Sequence, residues 1–273
     1  MGAVRGEYIM ESPREIRRLE MKTGFEAVKN QALWAGLKPG MRVADLGCGS
    51  GKTTSFLKRL SGTGEVVGVD RSSDRLAFAR RTYREPGISF VEKDLLGPLD
   101  DLGGFDFIWV RFLLEYHGSR MKEMAARFSR LLNPGGILCL IDLDHNALNH
   151  FGLSPRLDRA IRGCADALVT HSDFDPWAGR KLYSLLYDLG LKDLDVKLEA
   201  HHLIFGEVSE AENFNWITKV AVAGRDCRYE FSEYPGGYEE FLQECKDFFA
   251  DPRRFTYTPL ICCRGVNPGV LPL

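Results

Sequence analysis

A chain of 273 residues, 44% of them hydrophobic, is long enough for one large, well-cored domain or for a domain with substantial insertions. Its 36 Lys and Arg nearly balance 38 Asp and Glu, a formal net charge of −2 at pH 7, which removes a basic field as the basis for a nucleic-acid partner. Seven cysteines, an odd number with no CxxC pair and no zinc spacing, fit free thiols in a reducing cytoplasm and exclude a disulfide framework or a structural metal.

The chain opens with MGAVRGEYIMESPREIRRLE, which is charged and lacks an apolar run, so neither a leader nor a membrane anchor is expected there. No apolar run elsewhere reaches membrane-spanning length, since ILCLIDL is stopped by Asp142. Ser12 and Pro13 suit the cap and first turn of a helix, and Ile16, Leu19, Phe25, Val28 and Ala32 follow at helical spacing, predicting one or two N-terminal helices.

From residue 41 the rhythm is strand, turn, helix. MRVADLG, EVVGVD, ISFVEKD, FDFIWVRF and ILCLIDL read as short, nearly continuous apolar strands, separated by the helices KTTSFLKRLSG, SSDRLAFARRTYRE and MKEMAARFSRLL. Such alternation predicts a parallel, doubly wound α/β sheet covered on both faces, with its ligand crevice at the carboxyl ends of the strands. Beyond residue 144 the pattern loosens. A helix is predicted over Pro155 to Val169, followed by RKLYSLLYDLG, a strand LKDLDVKLEAHHLIFG, two helices in SEAENFNWITKVAVAG and YEEFLQECKDFFADP, and a last strand RRFTYTPLICCRGV. The helical pieces at 145–180 and 208–252 read as insertions that roof the crevice.

Residues 43–54, VADLGCGSGKTT, pose the functional question. A P-loop would need its first glycine at position 46, which is Leu46, so Lys52 and Thr53 read as first-turn helix residues. The dinucleotide pattern GxGxxG fails as well, because Lys52 follows Gly51. What remains is Asp45-x-Gly47-x-Gly49-x-Gly51, a sharp strand-to-helix turn on which a ligand can lie against bare backbone.

At this point the sequence resembles the class I S-adenosylmethionine-dependent methyltransferases, whose first motif VADLGCGSG matches nearly letter for letter. EVVGVD ends a second strand on Asp70, VEKDLL supplies Asp94 after a third, and FDFIWVRFLLEYH and LLNPGGILCL continue in register over roughly residues 40–145. Within the family, YIMESPREIRRL, Arg111 and GRKLYSLLYDLGL resemble the small-molecule subgroup related to ubiquinone and menaquinone biosynthesis.

The resemblance implies a mostly parallel seven-stranded, Rossmann-like methyltransferase fold, with an N-terminal helical lid and helical insertions in the C-terminal half. It implies one domain: N-terminal helices (1–38), a cofactor-binding core (39–145), and a remainder with acceptor-site insertions (146–273). The implied cofactor is S-adenosylmethionine, with S-adenosylhomocysteine as product. The implied acceptor is a small organic molecule methylated on O, N or C by in-line displacement.

The resemblance, carried over position by position, implies a cofactor set of Asp45, Gly47, Cys48, Gly49, Gly51, Asp70, Arg71, Asp94, Leu95, Val110 and Arg111, with Tyr8 and Arg18 from the lid. Asp45 would hold the glycine-loop amides and the cofactor's ammonium, or simply cap the loop. Asp70 would accept from the ribose hydroxyls, or cap the next helix together with Ser72 or Ser73. Asp94 would meet the adenine amino group, or cap a helix. Arg111 would bind the methionine carboxylate, or pair with Glu115. Tyr8 and Arg18 could equally sit on an ordinary surface helix.

Alignment supplies most of the acceleration in such a transfer, and a base is needed only where the nucleophile holds its proton. His117, after strand four, and His145, Asp142 and Asp144, after strand five, are the candidates for that base, each histidine with a plain structural alternative. Asp142 and Asp144 lack the rest of a recognisable metal set. Phe174, Trp177, Phe214 and Trp216 could line an apolar acceptor pocket or form the core of the roof. Position 110 begins Val-Arg-Phe-Leu where amino-group methylating enzymes carry Asn/Asp-Pro-Pro-Tyr/Phe, and no Pro-Cys occurs for cytosine chemistry. Two rival readings stand beside this one: a cofactor-binding protein without catalysis, and a nicotinamide-dependent oxidoreductase.

Overall fold

The computed structural model describes residues 15–269; Tyr8, Ser12 and Pro13 lie outside them. Strand β1 (Val43–Leu46) is buried along its whole length, as a central strand covered on both faces must be. Parallel neighbours flank it: β2 (Val66–Asp70), with Val66 opposite Val43, and β4 (Phe105–Arg111), with Phe107 opposite Val43. β3 (Ile88–Glu92) adds beyond β2, and β5 (Leu132–Leu143) beyond β4. β8 (Phe255–Val266) runs antiparallel to β5, and β7 (Lys192–Phe205) runs antiparallel to β8.

The order is β3-β2-β1-β4-β5-β8, with β7 on β8. Strand order reverses between β1 and β4, which leaves a crevice at their carboxyl ends. The sheet has eight strands rather than seven. The extra one is β6 (His150–Phe151), which pairs with Thr256 and Phe255 and is too short to carry a period.

Helices α2 (Phe25–Ala35) and α3 (Lys52–Ser61) bury Val28, Ala32 and Leu57 against Phe107 and Trp109 on one face. On the other, α5 (Met121–Ser129) and α7 (Leu182–Asp188) bury Met124, Phe128, Leu182 and Leu186 against Val110 and Leu138. Each buried Val, Leu, Met or Phe among them contributes about 1.5–3 kcal/mol. α4 (Ser73–Thr82) starts at Ser72, whose hydroxyl accepts from the Arg75 amide.

The roof has a core of its own. α6 (Pro155–Ser172), α8 (Glu210–Asp226) and α9 (Gly237–Ala250) enclose Trp216, Phe241 and Phe249. Local chemistry fixes their starts: Ser154 caps α6 ahead of Pro155, and Ser209 with Glu212 forms a capping box for α8. α6 continues past Val169 to Ser172 and stops where Asp173 turns left-handed at φ 57°. α1 (Glu15–Lys22) lies against α8. Among the described residues no helix is long and apolar enough to cross a membrane.

Candidate active site

Between β1 and α3 the chain reverses through Gly47, Gly49 and Gly51, at φ 80°, 54° and 83°. An L side chain in this region costs roughly 1–2 kcal/mol, so glycine is the residue that makes the turn without strain. Space demands it too: a Cβ on Gly51 would lie 2.7 Å from Ala79 Cβ and 2.8 Å from the Phe90 ring. The Gly47 and Cys48 amides donate to the Val69 carbonyl at 2.8 and 3.0 Å, tying the turn to the end of β2.

The carboxylate that holds the loop is Asp70, not Asp45. Asp70 Oδ2 accepts from the Gly49 amide at 2.8 Å, and Oδ1 accepts from the Ser72 amide at 2.9 Å and from Arg75 at 3.2 Å. Helix capping falls to Ser72. Asp45 instead accepts from Thr54 Oγ1 at 2.7 Å, while its other oxygen meets no donor among the described residues. Burial pushes its pKa up from 3.8 to about 7; the Thr54 hydrogen bond opposes the rise, nearby Asp70 adds to it and Arg111 lowers it. Thr54 was not legible as a site residue, because only the helical turn from Lys52 brings it beneath Asp45.

The crevice encloses about 1090 Å³, including space open to solvent. Asp45, Gly47, Cys48, Gly49, Asp70, Arg71, Asp94, Leu95 and Arg111 all line it. Asp94 Oδ1 accepts from the Leu96 amide at 2.9 Å, which fixes its carboxylate at the mouth of the β3 loop. His117 lines it as well; burial lowers its pKa, Arg71 lowers it further, and Asp173 and Asp94 pull it up. Lys52 begins α3 as expected and donates to the Glu20 carbonyl.

Arg111 at the end of β4 is the unusual group. Its guanidinium lies 4.1 Å from the Phe112 ring centroid, and its Nε is buried with no hydrogen-bond partner. It forms no ion pair among the described residues, and burial draws its pKa down to about 10 despite the opposing fields of Cys262, Asp45, Glu199 and Asp142. The alternative pairing with Glu115 does not form: that carboxylate accepts from Asn146 Nδ2 at 2.6 Å, and the Glu115 amide donates to Asp142 Oδ2 at 3.1 Å. Phe112, the next residue, sits at φ 57°, a strained conformation of the kind found at functional strand ends.

Four expected positions do not line the crevice: Gly51, which makes the turn but packs toward Ala79 and Phe90, Val110, Arg18 and His145. Val110 is buried in the sheet core, because alternation along β4 turns Trp109 and Arg111 toward the crevice and Val110 away. Arg18 makes a bidentate pair with Glu15, both contacts at 2.7 Å, and reaches Asn215 at 3.2 Å, so it fastens α1 to α8. His145, at φ 49°, contacts Arg180, which itself pairs with Asp144 at 2.8 Å outside the crevice. Of the aromatic candidates, Trp216 is buried in the roof core and Phe174 lines a second cavity beside Tyr116. Among the described residues no group of three or more His, Cys, Asp or Glu converges as a metal set.

Residues 43–136, which build this turn and strands β1 to β4, match the family described as Methyltransferase domain. This segment is a methyltransferase domain. The chain is 35% identical over 99 residues to trans-aconitate 2-methyltransferase of Rhodopseudomonas palustris (strain BisB18), covering 36% of this chain and 37% of that protein. It is 42% identical over 149 residues to 2-phytyl-1,4-naphtoquinone methyltransferase of Trichormus variabilis, covering 52% and 64%. The chain thus spans less than two thirds of either relative.

Solved structures extend the likeness of fold. Phosphoethanolamine N-methyltransferase 2 of Haemonchus contortus, in complex with S-adenosyl-L-methionine, superposes with TM-score 0.54 at 17% identity, over 90% of this chain and 53% of that one. The YcgJ protein of Bacillus subtilis gives 0.56 at 16% identity, over 89% and 99%. The likeness of fold therefore extends beyond residues 43–136.

Proposed function

We propose that the crevice binds S-adenosylmethionine and that the protein transfers its methyl group to a small organic acceptor. One observation carries this reading: Arg111, whose buried Nε has no hydrogen-bond partner and which forms no ion pair among the described residues, shares the crevice with a half-committed carboxyl, Asp45, beside three left-handed glycines. Opposite charges left open on bare backbone fit the ammonium and carboxylate of an amino acid. The second half of the crevice, with Asp70 and Asp94, fits a nucleoside, whose ribose and amino groups offer donors to carboxylates.

Arg111 would hold the methionine carboxylate, and Asp45 would face the ammonium through its free oxygen. Asp70 keeps spare acceptor capacity for ribose hydroxyls after holding Gly49, and Asp94 has an oxygen beyond the one that takes the Leu96 amide. Leu95 and His117 flank the nucleoside side. When bound, S-adenosylmethionine would supply a methyl group already activated by its positive sulfur, so the chain need not activate it. The protein's share is alignment and exclusion of water. In this reading residues 39–145 hold the cofactor, helices of 146–273 hold the acceptor, and the N-terminal helices cover the crevice. Seven free, buried cysteines support a cytoplasmic setting.

Calorimetric titration with S-adenosylhomocysteine tests the reading. Saturable binding at one site per chain is expected, and Arg111→Met should weaken it by about tenfold or more, the scale of one charge-assisted bond. Absence of binding by a folded sample, or thermal stabilisation by NAD instead, overturns it.

A further inference from the structure

A second cavity opens on the far side of Tyr116, which lines both it and the cofactor crevice. It encloses about 600 Å³, including space open to solvent. Ile161, Cys164 and Leu168 of α6, Val220 of α8 and Phe241 of α9 give it apolar walls, and Phe174 closes one side, its ring 5.6 Å from that of Tyr116.

One cation faces this apolar space. Lys219 lines the cavity, its Nζ 5.1 Å from the Trp216 ring centroid and donating to Asn146 Oδ1. An ammonium has three donors, and Lys219 makes no ion pair and no second hydrogen bond among the described residues. The nearest carboxylate in this chain of contacts is Glu115, one neutral amide away: Asn146 Nδ2 donates to Glu115 Oε2 at 2.6 Å. Burial lowers the Lys219 pKa to about 8, with Glu115 opposing that fall and Arg18 adding to it. A cation so placed lacks a counter-ion, and the buried amide–carboxylate pair behind it fixes where its free donors point.

We infer that this cavity is the acceptor site and that it selects an apolar molecule carrying one anionic oxygen, its body between α6 and α9 and its anion on Lys219 Nζ. The acceptor role rests on the methyltransferase reading above, because only the shared wall at Tyr116 places the cavity beside the cofactor. Lys219 is then a specificity residue: it pairs with the anion and discriminates against neutral molecules of the same shape. Asn146 and Glu115 are positioning residues that act through it.

The test uses the full chain with 4-phenylbutyrate and its neutral counterpart 4-phenylbutan-1-ol, titrated calorimetrically with and without S-adenosylhomocysteine. The acid should bind more tightly than the alcohol by about tenfold or more. Lys219→Met should erase that preference while leaving the alcohol's affinity within about twofold. Ala165→Leu, which adds volume to the cavity wall from α6, should weaken both ligands. No binding of the acid, equal affinity of the acid for the wild type and Lys219→Met, or indifference to Ala165→Leu overturns the inference. S-adenosylhomocysteine affinity is read in the same samples. Its absence in the wild type brings down the cofactor reading and the acceptor role with it, whereas the acid–alcohol difference judges the anion site by itself.

Discussion

Asp45→Asn isolates the electrostatic cost built into the crevice. In the native state burial keeps this carboxyl protonated until about pH 7, whereas in the unfolded chain it ionises near 3.8. Its folded-state pKa is raised, so the native state retains a proton that the unfolded chain releases, and stability falls as pH rises from about 4 to about 7, then levels off. The full difference is roughly 4 kcal/mol, of which about 2.5 kcal/mol falls between pH 5 and pH 8. Asparagine can keep the Thr54 hydrogen bond but cannot ionise, so the variant loses this slope. Thermal unfolding of both proteins across pH 5–8 reads it directly. The melting temperature of the wild type relative to the variant should drop by about 5–10 °C over that range, at 2–4 °C per kcal/mol for a domain of this size. Parallel pH profiles for the two proteins would refute the reasoning, because they would mean that Asp45 is already ionised in the folded protein at pH 5.

The same carboxyl predicts that S-adenosylhomocysteine affinity rises with pH by up to about tenfold per unit below 7 and flattens above, since the ammonium prefers the ionised form; calorimetry across pH 5.5–8 would show it, and Asp45→Asn should abolish the slope. Gly51→Ala combines a left-handed φ of 83° with a Cβ 2.7 Å from Ala79 Cβ, and should cost about 2–5 kcal/mol in urea unfolding. Glu20 accepts from Ser50 Oγ at 2.6 Å and from Tyr83 Oη at 2.7 Å, fastening α1 to the glycine turn, so Glu20→Ala should raise hydrogen exchange in residues 15–22 and speed S-adenosylhomocysteine release.

What the sequence disclosed and what it withheld follow from the range of the interactions involved. The sheet through β5 and the three glycines were legible because apolar runs and glycine spacing are local signals, and the β2 acid at Asp70 followed by register. Val110 was misplaced by one residue along β4, where a single step exchanges the crevice face for the core face. The two-residue β6 left no period to read. Asp70 rather than Asp45 holds the loop because a loop amide's partner depends on how two strands end side by side, which no spacing within VADLGCGSG reveals. Lys219 escaped notice for the same reason. Its position in α8 looks like a solvated helix charge, and only the meeting of α6, α9 and the Glu115 turn makes it a cation at an apolar wall.

Three charges in and beside the crevice share a physical property. Asp45 is held toward its neutral form, and Arg111 and Lys219 lose part of their hold on a proton, in each case chiefly through burial. A fold optimised for stability alone would pair such groups or replace them with apolar ones, since an unpaired buried charge costs several kcal/mol, roughly. Here they stand at the ends of β1 and β4 and on the roof helix facing the same turn after β4, while the remaining core is apolar and its helix starts are well capped. Strain confined to one region of an otherwise consistent fold is the pattern expected where ligands complete the electrostatics. An amino acid's two charges would satisfy Asp45 and Arg111 together, and an acceptor anion would satisfy Lys219. Binding of either ligand should therefore stabilise the protein more at pH 8 than its contacts with neutral groups alone would account for, because it relieves a cost the free protein carries.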